Sequence, residues 1–291
     1  MSFRLPRALG VLSTALCLFL AAPAAAEPPV WTIRDADSTI VLFGSVHVLP
    51  EGLAWRPAAL DAALARADDL WFETPVDGEG ETQAVQAAQQ NGYLPAGESL
   101  TALLTPQGRA RLERVGGRLG VSPAGIDRLR PWLADITLGL LALARQGAVA
   151  SAGVEKVLAD AAPAARRRAF ETPADQIAFF ADAPLADQLA SLEDTLRQLD
   201  EEPAFFDELI SAWARGDTAR IEALGLTPMK TASVVLYDRL IVQRNRRWAA
   251  TIAERLAGSG ETVIVVGAGH LVGPDSVPAL LRARGIPVEG P

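Results

Sequence analysis

Cysteine and histidine are nearly missing from this sequence: its 291 residues include one cysteine and two histidines. Cys17 falls in an opening segment with Arg4 and Arg7, then the apolar run VLSTALCLFLAA, then APAAAE. Together these read as a secretory signal peptide over residues 1–26, cut after Ala26. An apolar run of about 12 residues is too short to span a bilayer, and Leu16 before Cys17 does not suit a lipoprotein signal. The mature chain of residues 27–291 then lacks cysteine, so no disulfide holds it despite an oxidising destination. Its stability has to come from an apolar core, which a chain of this size can bury.

Basic clusters are scarce as well. Asp and Glu number 35 against 27 Lys and Arg, for a net charge of −8. Loss of Arg4 and Arg7 with the leader brings the mature chain to about −10. An acidic chain is poorly suited to nucleic acid or anionic membrane surfaces. The one basic run, Arg166–Arg167–Arg168, precedes an expected strand and reads as a solvated edge. No later segment reaches membrane-spanning length, so a protein of the periplasm or the external medium is expected.

The chain carries an α/β pattern at both ends. VWTIRDADSTIVLFGSVHVLP reads as two strands joined by a turn, with a helix following from Arg56 to about Ala67. DDLWFETP is then a short strand ending near Glu73, which completes a βαβ unit with a parallel pair. The middle, about 76–230, reads as a largely helical insertion punctuated by Pro106, Pro123, Pro131, Pro184 and Pro203. VDGEGETQAVQAAQQNG within it reads as a loop or weak helix, PWLADITLGLLALARQG as a buried helix, and RRRAFETP as a strand. A long helix from about Val234 to Ala257, the strand TVIVVGAGH, a further helix and the short strand IPVE close the chain. The expected fold is α/β: one domain over 27–291 with a mixed or mostly parallel central sheet. IVLFGSVH and VIVVGAGH are alike, and each is followed by a helix and a strand ending in glutamate, Glu73 or Glu289, which suggests two related halves.

Both histidines close a Gly-x-x-His run: Gly44-Ser45-Val46-His47 and Gly267-Ala268-Gly269-His270. Each run follows an apolar, β-branched stretch. Ligands and catalytic groups in open α/β sheets gather at the carboxyl ends of strands, so one parallel sheet would bring His47, His270 and Glu73 to the same rim. A single Gly-x-x-His is weak, since a histidine after a strand is commonly structural; the pair, using every histidine of the chain, carries the information. Two imidazoles and a carboxylate suit a divalent Zn²⁺, Mn²⁺ or Co²⁺ with positions open for water. Such an ion lowers the pKa of bound water and polarises a carbonyl, which is the chemistry of hydrolysis.

Arg244 interrupts an apolar stripe of Leu236, Leu240, Trp248 and Ile252, and a buried arginine needs an anionic partner. It is expected to hold Glu73 or to stabilise an oxyanion, with snorkelling to solvent as the plainer alternative. Asn245 lies on the neighbouring stripe. Arg246 and Arg247 read as surface residues; Glu155 and Glu171 could each cap a helix or enter the site, with capping favoured.

The segments FGSVHVLP, ETP, GVEKVL, FETPADQ, RNRRWAATI and VGAGHLVGPDSVPALLRARGIPVE resemble the GumN/TraB family, which includes the Tiki proteins. The resemblance covers nearly the whole mature chain. It implies an α/β core with a helical insertion, and an activity of the Tiki kind, a metal-dependent protease favouring Mn²⁺ or Co²⁺. Carried over, the metal site would be His47, His270 and Glu73, with Glu73, Arg244 and Asn245 as catalytic residues; Glu155 matches a GVE element without an assigned role. The expectation is an exported metal-dependent hydrolase acting on peptides or small molecules. The alternative is a non-catalytic peptide- or haem-binding protein using the same cleft, since some relatives are tied to pheromone shutdown or haem rather than proteolysis.

Overall fold

A computed structural model describes residues 27–291; the expected leader and its cleavage point lie outside the described residues. Its strands are β1 Val30–Arg34, β2 Ser38–Ser45, β3 Leu49–Pro50, β4 Asp69–Phe72, β5 Ala148–Val149, β6 Arg167–Ala169, β7 Gly260–Gly267 and β8 Val288–Glu289. Six of them form one sheet in the order β6-β4-β7-β2-β1-β8. The four from β6 to β2 are parallel; at the other side β1 is antiparallel to β2, and β8 is antiparallel to β1. The architecture is therefore α/β with a mixed central sheet.

β2 and β7 are apolar along most of their length because both faces are covered. Ile40, Leu42, Phe43, Val263, Ile264, Val265 and Val266 are all buried. The two strands pair over eight residues, from Ser38 opposite Gly260 to Ser45 opposite Gly267. In-register parallel pairing ends both strands at the same level, so the two Gly-x-x-His runs leave the sheet side by side.

The first crossover differs from expectation in one respect. The helix Ala58–Arg66 leads from β2 to β4 as anticipated, but the two strands are not bonded neighbours. β7, from the far end of the chain, lies between them and pairs with both. The segments that follow the two motifs also take different places. β4 is parallel to β7, whereas β8 is antiparallel to β1 at the edge, where Glu289 pairs with Arg34.

The polar segment after β4 forms the helix Gly78–Asn91, whose first turn is capped by Asp77 accepting from the Gly80 N–H at 2.8 Å. Its alanines and glutamines favour helix once that cap is in place. The span 76–230 is mostly helical, yet it also supplies β5, which pairs with β3, and β6, the edge strand of the main sheet. The helices Pro106–Leu119, Pro131–Arg145 and Leu185–Glu201 enclose a second apolar cluster around Leu112, Val115, Leu138, Leu192 and Leu196. Pro131–Arg145, expected to be buried on most sides, buries one face and leaves Leu140 49% exposed. No helix among the described residues is long and apolar enough to cross a membrane.

Candidate functional site

His47 follows β2 in a tight approach to the helix Val154–Ala161. The Val154 N–H donates to the Val46 carbonyl at 3.1 Å, and a Cβ on Gly153 would sit 1.9 Å from the His47 carbonyl oxygen. Only glycine fits there. This docking brings Glu155 beneath the imidazole, where its Oε1 accepts from His47 Nδ1 at 2.7 Å and from the buried Ser45 hydroxyl at 2.5 Å. Glu155, expected as a helix cap, instead orients the histidine. Its carboxylate raises the His47 pKa to about 9. Burial works against the ionised Glu155, but His47 and Ser45 outweigh it and hold that carboxyl below its usual range. The His47 side chain remains 69% exposed.

His270 is buried at the end of β7. Asn245 Oδ1 accepts from Nδ1 at 2.6 Å, and Asn245 Nδ2 donates to the Asp275 carbonyl at 2.8 Å, which sets the amide orientation. Nδ1 therefore carries the proton, and Nε2 accepts from Arg244 Nη1 at 3.1 Å. Burial pushes the His270 pKa down to about 3, so the ring is neutral.

Arg244 is the hub. Nε donates to both oxygens of Glu171 at 3.0 and 3.1 Å, Nη1 to His270 and the Leu240 carbonyl, and Nη2 to Glu73 Oε2 at 2.5 Å and Glu171 Oε2 at 2.9 Å. Every guanidinium N–H is used, a pattern lysine cannot reproduce. Phe179 and Trp248 pack against the guanidinium, at 5.3 and 4.7 Å from their ring centres. A π-helical turn over Asp238–Val242 precedes Gln243–Leu256, and both Arg244 and Asn245 face inward after it. Arg244 does hold Glu73, as expected, and does not reach solvent. Glu171, expected as a cap, is instead the second carboxylate on this arginine; Thr172 caps the following helix. Arg247, expected at the surface, is 51% exposed but lies 3.6 Å from Glu171 and against the Phe179 ring.

The sequence carries an unused signal for Glu171. Phe-Glu-Thr-Pro occurs twice, at Phe72–Pro75 and Phe170–Pro173, each time where a strand ends. The two strands are parallel and their register continues past their ends. The Phe170 N–H donates to the Phe72 carbonyl at 3.1 Å and the Glu171 N–H to the Glu73 carbonyl at 2.9 Å. The repeat thus sets two glutamates side by side for one arginine to bridge.

Glu73 Oε1 accepts from the Gly267 N–H at 2.7 Å and lies 3.7 Å from His270 Nε2; Oε2 also accepts from Gln176 Nε2 at 2.8 Å. Burial resists ionisation of Glu73, but Arg244, His47 and the Gly267 N–H hold its carboxyl below the usual range. With His270 neutral, Arg244 is the principal cation beside it. A cavity of about 440 Å³ opens over this rim, lined by His47, Glu73, Glu155 and Gln176, with an apolar wall of Phe72, Pro75, Val76, Pro173 and Ile177. Glu73, His270, Arg244 and Asn245 therefore form one buried cluster. His47 shares the cavity with Glu73 but is bonded to Glu155.

For a divalent ion, the donor chemistry fits. Each imidazole is held through Nδ1 by a side-chain oxygen, the arrangement that frees Nε2 for a ligand role. Placement is less suited: Arg244 takes the His270 Nε2 lone pair, and no group of three or more His, Cys, Asp or Glu side chains among the described residues stands ready to hold a metal.

The chain is 28% identical over 243 residues to YbaP of Escherichia coli K12, covering 83% of this chain and 87% of that protein, and matches YbaP of Shigella flexneri to the same extent. Both carry the description "uncharacterized protein". No solved structure matches. The TraB/PrgY/gumN family matches residues 29–290, the whole span from before β1 to the end of β8, and the chain belongs to that family.

Proposed function

We propose that the chain is a hydrolase of peptide-like substrates, exported after removal of its leader, with the cavity at the sheet rim as its active site. The observation that carries this reading is that His47 and Glu73 line one cavity, each fixed from behind by other side chains. Preorganised acid–base groups of this kind need no rearrangement when a substrate enters. Glu155 holds Nδ1 of His47, so Nε2 is the atom that the ring presents to the cavity. Glu73 is kept ionised by Arg244, and Oε1 retains a lone pair for a water or a metal beyond its bond from Gly267. Asn245 keeps His270 in one tautomer, and Arg244 sets the charge of the rim. His47, His270 and Glu73 are the residues that would hold Mn²⁺, Co²⁺ or Zn²⁺, whose chemistry there would be to acidify a water and polarise a carbonyl. Arg244 would have to release Nε2 of His270 for that.

Two measurements test the reading. Metal analysis and calorimetry with Mn²⁺, Co²⁺ and Zn²⁺ should show one equivalent bound, and binding should vanish in a His47→Ala, His270→Ala double variant. Peptide cleavage should appear with the ion and be lost in Glu73→Gln. A non-catalytic binding protein for peptides or a haem-like ligand is the second reading, favoured by Arg244 occupying His270 Nε2. Stable stoichiometric binding without turnover, or a Soret band that shifts on loss of a histidine, would establish it instead.

A further inference from the structure

Gln176 lies on the helix Pro173–Ala181, on the cavity wall beside Glu73. Its amide orientation follows from its partner. An ionised carboxylate only accepts, so the group 2.8 Å from Glu73 Oε2 must be the Nε2 donor. The carbonyl Oε1 is thereby turned away from Glu73. It accepts no hydrogen bond among the described residues and is not closed off from solvent, on a side chain that lines the cavity. The helix that carries it is pinned at its start. Thr172 Oγ1 accepts from the Asp175 N–H at 3.2 Å, while Asp175 Oδ2 accepts from the Thr172 N–H at 3.0 Å. The capping box fixes the start of the helix, and the side-chain amide is held by its bond to Glu73.

We propose that Gln176 Oε1 is a specificity subsite that accepts a backbone N–H of the substrate, so that the cavity takes secondary amides of peptide type in preference to ligands without that donor. This rests on the hydrolase reading above. The neighbouring wall of Phe72, Val76, Pro173 and Ile177 would then receive an apolar side chain of the same substrate residue. A bond to a cavity-facing acceptor discriminates strongly, because a ligand lacking the donor leaves that acceptor unpaired and partly desolvated.

The test uses a quenched fluorogenic octapeptide library on the full mature chain, loaded with Mn²⁺ or Co²⁺. The best-cleaved sequence is resynthesised with each backbone N–H replaced in turn by N–CH₃, at positions away from the scissile bond. At one position the wild type should lose about tenfold in kcat/KM, mostly through KM. Gln176→Met and Gln176→Asn should be insensitive to methylation at that same position, with unchanged melting temperatures. If these variants weaken cleavage of every peptide equally, Gln176 only braces Glu73 and the inference fails while the hydrolase reading stands. If the wild type cleaves nothing in the library, the hydrolase reading fails and takes the inference with it.

Discussion

Arg244 shows how much one side chain can decide here. Its five N–H groups serve two glutamates, an imidazole and a carbonyl, all buried. Replacing it with methionine leaves Glu73 and Glu171 side by side with only the half-exposed Arg247 nearby, and an uncompensated buried charge costs about 3–5 kcal/mol. Urea denaturation of Arg244→Met at neutral pH should show a loss of that order. The loss should shrink as the pH falls and the carboxyls protonate. Arg244→Lys should recover only part of it, since an ammonium cannot bridge two carboxylates in a plane. Wild-type stability in the lysine variant would show that charge alone matters. Arg244 was legible as an interruption of an apolar stripe with Glu73 as one expected partner, and the structure decided between that pairing and solvent. Glu155 was not, because a glutamate in a first helical turn also satisfies the helix dipole.

Elements deliver these residues through contacts that tolerate little change. Gly153→Ala would place a methyl 1.9 Å from the His47 carbonyl. The backbone there is ordinary, with φ −60, so the effect is purely steric. A loss of about 1–3 kcal/mol is expected, together with a displaced His47 resonance. Gly117→Ala is the control: it lies exposed in the helix Pro106–Leu119 with open space around it, and should gain about 0.5–1 kcal/mol. A chain in which both substitutions act alike would refute the docking argument. The contact between Pro131–Arg145 and Leu185–Glu201 includes Asp135, which accepts from Ser191 at 2.6 Å. Burial raises the Asp135 pKa, with Asp194 adding to the rise and Ser191 and Thr195 opposing it. A carboxyl with a raised folded pKa costs stability above that pKa, and the cost disappears as the pH falls through it. Asp135→Asn should therefore raise the melting temperature at pH 7, with the gain narrowing toward about pH 4. A gain independent of pH would contradict the assignment.

On the scale of the whole molecule, two apolar clusters divide the work. The larger covers both faces of the sheet and carries the site; the smaller lies within the helices of residues 94–199. Leu112→Ala in the smaller cluster should cost about 2–5 kcal/mol. Hydrogen exchange should then quicken in Pro106–Leu119, Pro131–Arg145 and Leu185–Glu201, while amides of β2 and β7 keep their protection. Uniform loss of protection would mean the two clusters unfold as one.

Local pattern by itself determined that this chain is α/β, that both Gly-x-x-His runs follow buried strands, and that Arg244 interrupts an apolar stripe. Those conclusions rest on periodicity, charge and burial, which act over a few residues. The repeated Phe-Glu-Thr-Pro was also there to be read as a second carboxylate. Only the tertiary structure decided that β7 inserts between β2 and β4, bringing His270 and Glu73 within 3.7 Å. It alone assigned Glu155 to His47, and Gln176 to Glu73. Strand order and side-chain partnership depend on pairings between distant segments, whose cost and gain are set by how the entire chain packs.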